Sequence, residues 1–466
     1  MLTTVPNTAA SSSCSSINRV ESSQYKFPPI NSAPSLTPLE GALGVEVVDV
    51  YKVDIPVARR KELSHVTGSD WFRSQHQACA IELSSQRKSD LLVALGSGGG
   101  ASLLFTLCAV NKDEEKLTTI VTVPSVLRLN SLRNRLNKAR ISVREWTVKG
   151  SKNLTRPPVL LVLAKTAVTK EFKEFFLELC REKAVARLVF DRIESFVNPP
   201  LLTLVTSFKF REKLPEGLVP FIGTSTSLPL GLIAKVMRQM SFRHGNTQLV
   251  RDPSLLHNST SYSVFPLTSQ RGCPSAEAFF SPTDDKLLSV LNYVRHALGE
   301  FQEQDRALIF CSSSRVAEDF AAELPCFCYA VEANGDANEF AMKSWRAGDV
   351  KALATTSGLG VDFDYPYIKL VIHYEEPRNI FAFLHESGKA GRNLQRAYVT
   401  TFWHVEKMPA SNTDDLGVDE MIEYLMTGQC RRTSLLLEGN TCHDDATAAL
   451  CDNCQSQLAH VPIVSL

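Results

Sequence analysis

The sequence predicts an α/β protein with two parallel sheets, each flanked by helices. From about Trp71 onward, short apolar runs alternate with segments of helical periodicity. Buried parallel strands joined by helices give this pattern. It repeats in the second half of the chain, so we predict two units of about 160 residues each. A proline-containing linker over residues 245–285 would join them.

The elements follow in order. The predicted strands of the first unit are Leu91–Leu95, Thr118–Val123, Val159–Leu163, Leu188–Phe190 and Phe221–Gly223. The second unit opens with a helix over Lys286–Phe301, where apolar residues recur at helical spacing. Its predicted strands are Ala307–Cys311, Ala352–Thr355, Lys369–His373 and Tyr398–Phe402. Residues 1–40 hold 21 Ser, Thr, Asn or Pro without apolar periodicity, which predicts a disordered tail.

Charge is distributed unevenly along the chain, although its formal total is zero. Residues 71–245 hold 27 basic and 14 acidic side chains, residues 246–410 hold 15 and 20, and residues 411–466 hold 2 and 9. The excess of basic residues in the first unit is compatible with binding to a polyanionic partner. An apolar fraction of 44% with 21% charged residues excludes a collagen, a disordered chain and a small disulfide-rich scaffold.

Twelve cysteines are too few for a secreted disulfide framework of this length, and no signal-peptide pattern opens the chain. We therefore expect an intracellular, reducing compartment. Four of the twelve, Cys430, Cys442, Cys451 and Cys454, lie within the last 37 residues. Four thiolates that end in a C-x-x-C pair suit tetrahedral zinc in a structural role. Two unrelated pairs of buried thiols are the alternative, and His443 is a candidate substitute ligand.

The segment Leu91–Val110 contains no charge over 20 residues, which meets the length of a membrane span. Three consecutive glycines, Gly98 to Gly100, make a poor helix. A strand, a glycine loop and a buried helix explain the segment better, and we expect no membrane partner.

The glycine loop at residues 96–102 follows a predicted strand and precedes a predicted helix. Such turns gather backbone N–H groups around phosphate oxygens. A working P-loop also needs a lysine at Ala101 and a Ser or Thr beside it, and only Ser102 is present. The loop by itself fits a phosphate cradle or a structural turn.

Seven segments follow one another in a recognisable order: Phe72-Arg73 with Gln77, residues 96–102, Thr122-Val123-Pro124, Asp191 to Glu194, Thr224-Ser225-Thr226, residues 356–366 and residues 385–392. Together they resemble the motifs of superfamily 2 helicases, and more narrowly those of RecQ-type DNA helicases, near the RecQ-like and telomere-linked copies of fungi. The resemblance runs from about residue 70 to residue 456. It implies RecA-like lobes at residues 41–245 and 246–410 and a RecQ-like zinc module at residues 411–466. It also implies ATP, Mg²⁺ and Zn²⁺ as cofactors, 3′→5′ translocation on single-stranded or forked DNA, and a nuclear location.

Carried over residue by residue, the resemblance assigns adenine recognition to Gln77 and Mg²⁺ binding to Asp191. The phosphates would lie on Gly98, Gly99, Gly100 and Ser102, with Asp364 contributing from the second lobe. Arg392 and Lys389 would reach the γ-phosphate. Arg128, Arg133 and Thr356 would contact DNA, although a solvated helix face explains the basic run from Arg128 to Arg144 equally well.

Two departures from the family pattern affect catalysis directly. Ala101 stands where the P-loop lysine belongs, and Arg192 stands where a glutamate accepts the proton of the attacking water. Arginine cannot act as a base. General-base catalysis contributes ~10²–10⁴-fold and cations on the phosphoryl group ~10³–10⁵-fold. The sequence therefore supports two hypotheses: an ATP-dependent helicase with impaired hydrolysis, or an inactive relative that binds nucleic acid or a protein partner.

Overall fold

The computed structural model describes residues 44–96, 98–111, 114, 116–147, 156–198, 211, 219–252, 258–267, 286–330, 335–356, 365–404, 415–436, 442 and 448–459. The expected tail at residues 1–40 lies outside the described residues, and so do Asp364 and His443.

The first unit contains a sheet of eight parallel strands. In chain order they are β1 (Glu46–Val47), β2 (Asp90–Ala94), β3 (Thr118–Val123), β4 (Val143–Glu145), β5 (Val159–Leu163), β6 (Val185–Asp191), β7 (Phe221–Ser225) and β8 (Thr247–Arg251). Their order in the sheet is β1-β8-β2-β7-β6-β3-β5-β4. All five strands predicted for this unit are confirmed.

Helices cover both faces of the first sheet. They are α1 (Val57–Thr67), α2 (Gln75–Gln86), α3 (Leu103–Cys108), α4 (Val126–Lys138), α5 (Ala164–Ala167), α6 (Lys170–Arg181) and α7 (Ile233–Gln239). Every residue of β2, β3 and β6 is buried, because each central strand has an apolar layer on both sides. Side chains alternate between these layers: Leu92 packs in one cluster and Leu91 in the other.

The second unit contains six parallel strands in the order β11-β12-β10-β13-β14-β9. The strands are β9 (Thr260–Pro266), β10 (Arg306–Cys311), β11 (Cys326–Tyr329), β12 (Ala352–Thr356), β13 (Ile368–Tyr374) and β14 (Ala397–Trp403). The helices are α8 (Lys286–Gly299), α9 (Ser314–Glu323), α10 (Gly335–Ala347) and α11 (Ile380–Ser387). The four predicted strands and the predicted opening helix are confirmed.

The stretch expected to be a linker, residues 245–285, contains two strands instead. β8 pairs with β2 in the first sheet, and β9 pairs with β14 in the second. Both strands mix polar and apolar residues and lie near prolines, so neither shows the continuous apolar run of a central strand. The chain passes from the first sheet to the second between residues 251 and 260. β8 is therefore part of the first sheet although it lies after residue 245, the predicted end of the first lobe. The domain boundaries stay predictions.

Three short helices, α12 (Val418–Met426), α13 (Arg431–Leu436) and α14 (Asp452–Ala459), follow the second sheet. α13 and α14 pack on its edge strand β9, and α12 packs on α11 and α13. The backbone N–H of Val264 donates to Asp452 Oδ2 at 2.9 Å, and the Arg432 guanidinium donates to the carbonyl of Thr260 at 2.7 Å. None of the helices in the described part of the chain combines the length and apolar character that a bilayer crossing requires.

Candidate functional site

The glycine loop connects the end of β2 to α3 in a tight turn. The backbone N–H of Gly99 donates to the carbonyl of Gly96 at 2.7 Å. Gly98 and Gly100 have φ of +86° and +79°, a region that side chains disfavour. A Cβ on Gly100 would lie 2.2 Å from Gln77 Nε2, so the loop depends on glycine for close approach as well as for conformation.

Gln77 lies on α2 and is fully buried against this loop. Its Nε2 donates to the carbonyl of Gly100 at 3.3 Å, and its Oε1 accepts from the backbone N–H of Arg73 at 2.8 Å. Ala101, in the position of the missing lysine, packs against the apolar core. The loop and the predicted adenine-reading residue are therefore brought together.

Asp191, the last residue of β6, forms a bidentate ion pair with Arg128 of α4. Arg128 Nε lies 2.5 Å from Asp191 Oδ2, and Arg128 Nη2 lies 3.0 Å from Asp191 Oδ1. Both side chains are buried. Burial alone would raise the pKa of Asp191, but the adjacent Arg128 charge and its hydrogen bonds outweigh this and hold the pKa below its usual value.

Arg192 follows directly in the left-handed region, with φ of 62°. Its backbone N–H donates to Thr224 Oγ1 at 3.3 Å, and that hydroxyl also lies 3.4 Å from Asp191 Oδ1. The Arg192 side chain reaches the second unit, where Nη1 lies 3.3 Å from His385 Nε2. The guanidinium of Arg192 in the first unit thus contacts the imidazole of His385 on α11.

Lys389 is buried beside the same imidazole, with Nζ 3.2 Å from His385 Nε2 and 3.2 Å from the carbonyl of His385. Burial lowers the pKa of Lys389 well below its usual value, and the nearby charges of Arg392 and Arg192 lower it further. The Arg392 guanidinium donates to the carbonyl of Gly388 at 3.2 Å.

These groups surround one cavity of about 520 Å³, a size usual for small-molecule sites. The glycine loop, Gln77, Asp191 and Arg192 line it from the first unit, and His385 and Arg392 line it from the second. The cavity also includes three residues to which sequence reasoning assigns no role: Trp71, Arg135 and His385. Arg135 belongs to the basic run from Arg128 to Arg144 and His385 opens the motif at residues 385–392, whereas no signal in the sequence links Trp71 to the site.

The predicted DNA contacts are dispersed. Arg128 is buried on Asp191, whereas Arg133 is 42% exposed on α4, with Nη2 2.6 Å from Asn130 Oδ1 and Nη1 3.4 Å from Glu145 Oε2. Thr356 ends β12 and is partly exposed. These roles stay predictions.

The four cysteines of the C-terminal cluster come together, and their Sγ atoms all lie within 4.8 Å of one another. Zinc–sulfur bonds of about 2.3 Å in a tetrahedron place sulfurs roughly 3.8 Å apart. Cys430 and Cys442 Sγ are 3.5 Å apart, so the donor set and its spacing fit zinc. Four thiolates leave no open position, so the metal would be structural.

Two neighbouring residues fix the cluster in place. The backbone N–H of Arg431 lies 3.4 Å from Cys451 Sγ, and the Arg431 guanidinium contacts both carboxylate oxygens of Asp452 at 2.9 and 3.1 Å. Arg431 therefore joins the starts of α13 and α14, which Cys430 and Cys451 directly precede.

Comparison with known proteins matches residues 286–394 to the helicase conserved C-terminal domain. The chain is 22% identical over 427 residues to the ATP-dependent helicase SGS1 of Saccharomyces cerevisiae, covering 82% of this chain and 27% of that protein. It is 20% identical over 441 residues to the RecQ-like DNA helicase blm-1 of Caenorhabditis elegans, covering 86% of this chain and 42% of that protein. The chain is therefore similar to RecQ-type helicases of superfamily 2. It spans less than half the length of these relatives.

A solved structure shows the same fold. The Mycobacterium smegmatis helicase Lhr, bound to single-stranded DNA and AMP-PNP, superposes with a TM-score of 0.55 at 17% identity, over 80% of this chain and 50% of that one. The two sheets are accordingly RecA-like, as the RecQ-type resemblance implied.

Magnesium does not fit Asp191 in the arrangement that the structure shows. Mg²⁺ requires oxygen ligands in near-ideal octahedral geometry. Both oxygens of Asp191 accept N–H groups from Arg128, and the next residue is the cation Arg192. A divalent cation would have to displace a buried guanidinium and lie beside a second one.

Proposed function

We propose that this RecQ-type protein binds nucleic acid and has little or no ability to hydrolyse ATP. The Arg128–Asp191 ion pair beside Arg192 carries the proposal. In this arrangement the carboxylate expected to hold Mg²⁺ is neutralised by a protein cation, and the position of the general base holds a second cation.

The two groups that the sequence lacks, the P-loop lysine and the general base, both act on the hydrolysis of ATP. Ala101 supplies no charge for the β- and γ-phosphates, and Arg192 supplies no base for the attacking water. Lys389 keeps a nitrogen near the cavity but lacks the bidentate fork of arginine, and burial disfavours its charged form. Residues of one site act as a unit, so these losses together leave no partial mechanism.

Nucleic acid is the proposed partner because the first unit has an excess of basic residues and the relatives are named as helicases. Single-stranded or forked DNA, a nuclear location and 3′→5′ polarity follow from the RecQ-type resemblance and belong to the proposal. A role in binding a protein partner is the alternative. If the protein binds a protein partner instead, its affinity for DNA should be weak and should not depend on the salt concentration.

Steady-state ATPase assays with saturating single-stranded DNA and MgCl₂ test the proposal. We expect the wild-type rate to equal both the blank without protein and the rate of Asp191→Asn. The Asp191→Asn variant is the matched control, because it removes the metal-binding carboxylate of a working site. A turnover of ~1–10³ s⁻¹, as is usual for enzymes, that Asp191→Asn abolishes would show that the site is catalytic and would overturn the proposal.

A further inference from the structure

The cavity between the two units carries an unusual excess of positive charge. Its described lining includes five arginines: Arg73, Arg128, Arg135, Arg192 and Arg392. Among the described lining residues, Asp191 is the one carboxylate. Five arginines against one aspartate give a formal charge of +4 with His385 neutral. Such a charge in a partly enclosed space favours a polyanion.

The five arginines come from four parts of the chain that surround the glycine loop. Arg73 precedes α2 and donates to the carbonyl of Gly98. Arg128 and Arg135 project from α4, Arg192 follows β6, and Arg392 follows α11. Guanidinium groups bind phosphate oxygens with paired N–H donors, which an ammonium group cannot do.

We propose that this cavity binds the polyphosphate of a nucleotide through its arginines and without a divalent cation. The inference rests on the proposed function, because it concerns the same site after its catalytic groups are lost. In a magnesium-dependent site the metal offsets the phosphate charge. Here the protein supplies that charge itself, and Arg192 replaces a carboxylate with a cation.

The charge balance supports the metal-free ligand. ATP without a divalent cation carries about four negative charges, and its magnesium complex carries about two. The +4 lining matches the first form. Magnesium would compete with Arg128 for Asp191, and a displaced Arg128 would be left buried without its carboxylate, which is costly.

Trp71 provides a reporter for this cavity. All four tryptophans of the chain are among the described residues. Trp71 lines the cavity and is 67% exposed, whereas Trp146, Trp345 and Trp403 are buried. Binding of a nucleotide here changes the environment of the one exposed indole.

The test is calorimetric titration of the full chain with ATP, in excess EDTA and in excess MgCl₂, with tryptophan fluorescence followed in parallel. We expect binding in EDTA at least as tight as in MgCl₂, accompanied by a fluorescence change that Trp71→Phe removes. Inorganic tripolyphosphate should compete with ATP in EDTA, because the arginines recognise phosphate.

Two variants locate the interaction. Arg392→Gln should weaken ATP binding in EDTA about tenfold, the effect of one charge-assisted hydrogen bond. Arg181→Gln, which changes an exposed arginine at the end of α6, is the matched control and should bind as the wild type does. Thermal unfolding of both variants shows whether they are folded.

Three results would overturn the inference: a tenfold or greater loss of affinity in EDTA, no competition by tripolyphosphate, or no binding in either buffer. None of these three results would contradict the proposal that the protein binds DNA. Conversely, hydrolysis in MgCl₂ would contradict the proposed function whatever the affinity in EDTA.

Discussion

At the scale of single residues, the buried Arg128–Asp191 pair should contribute strongly to stability. Removing one partner of such a pair leaves an uncompensated charge and costs about 3–5 kcal/mol. We therefore expect Arg128→Gln to lower the free energy of unfolding by that amount at pH 7. The loss should be smaller at pH 4.5, because the buried Asp191 of the variant has a raised pKa and becomes neutral. Urea unfolding at both pH values measures this.

Arg133→Gln on the same helix is the matched control, because Arg133 is half-exposed and its pair with Glu145 should contribute less than about 1 kcal/mol. The double variant Arg128→Met with Asp191→Leu should recover most of the stability, since it removes both charges. Equal losses for Arg128→Gln and Arg133→Gln would show that the ion pair contributes little.

Glu194, also buried, makes the stability depend on pH. Burial raises its pKa from 4.5 to about 7. Because the folded state binds the Glu194 proton more tightly than the unfolded state does, this proton stabilises the fold fully below pH 4.5. The stabilisation is lost as the pH rises through 7. We expect Glu194→Gln to lie close to the wild type near pH 5 and to exceed its free energy of unfolding by about 3 kcal/mol at pH 8. Glu318→Gln, exposed on α9, should show no such difference. A parallel profile for the wild type and Glu194→Gln would contradict the buried, protonated carboxyl.

At the scale of elements, the C-terminal helices α12 to α14 are short and need a further constraint. Helices of this length are marginal by themselves. The cysteine cluster and the arginine contacts to β9 supply the connections. A metal bound by the four cysteines would therefore contribute folding free energy to this region.

Metal analysis of the purified protein should give about one equivalent of zinc. Cys454→Ser should reduce the zinc content and lower the melting temperature by several degrees. Cys328→Ser, which changes a half-buried thiol of the second sheet, should leave the zinc content unchanged. Less than about half an equivalent in the wild type would count against the four-cysteine site.

The elements also show what the sequence can predict. Strands with a continuous apolar run, such as Val159–Leu163, were predictable because burial on both faces requires it. β1, β4, β8, β9 and β11 were missed, since they are short or mix polar with apolar residues. The cysteine cluster was predictable because few other roles place four thiols so close in sequence. The Arg128–Asp191 contact was not, because 63 positions separate the partners and motif comparison assigns each a different ligand.

At the scale of the whole molecule, the basic first unit should give DNA binding a strong dependence on salt. Each phosphate neutralised adds roughly one unit to the slope of log K against log salt. We expect a steep slope for single-stranded DNA and a reduction of about one unit in Arg133→Gln. Fluorescence anisotropy across a salt series measures both. Arg295→Gln, on α8 of the second unit, is the control and should keep the full slope. A flat slope in the wild type would favour a protein partner.

The two units are joined by contacts that need no ligand. Besides the Arg192–His385 contact, Asn198 Oδ1 accepts from the backbone N–H of Leu416 at 2.7 Å, and Lys235 lies 3.8 Å from Glu420. These contacts connect the first unit to the second unit and to the region of α12.

The charge arrangement of the cavity also restricts how descendants of this sequence can change. A reversion of Ala101 to lysine alone would add a cation to a lining that already holds an excess. A reversion of Arg192 to glutamate alone would set a carboxylate beside the buried Asp191 and remove the contact to His385. Given the proposed function, neither substitution alone should restore hydrolysis, because the catalytic groups act together. Selection for ATP turnover would then have no single-step route back, whereas selection for binding could act on every one of these positions.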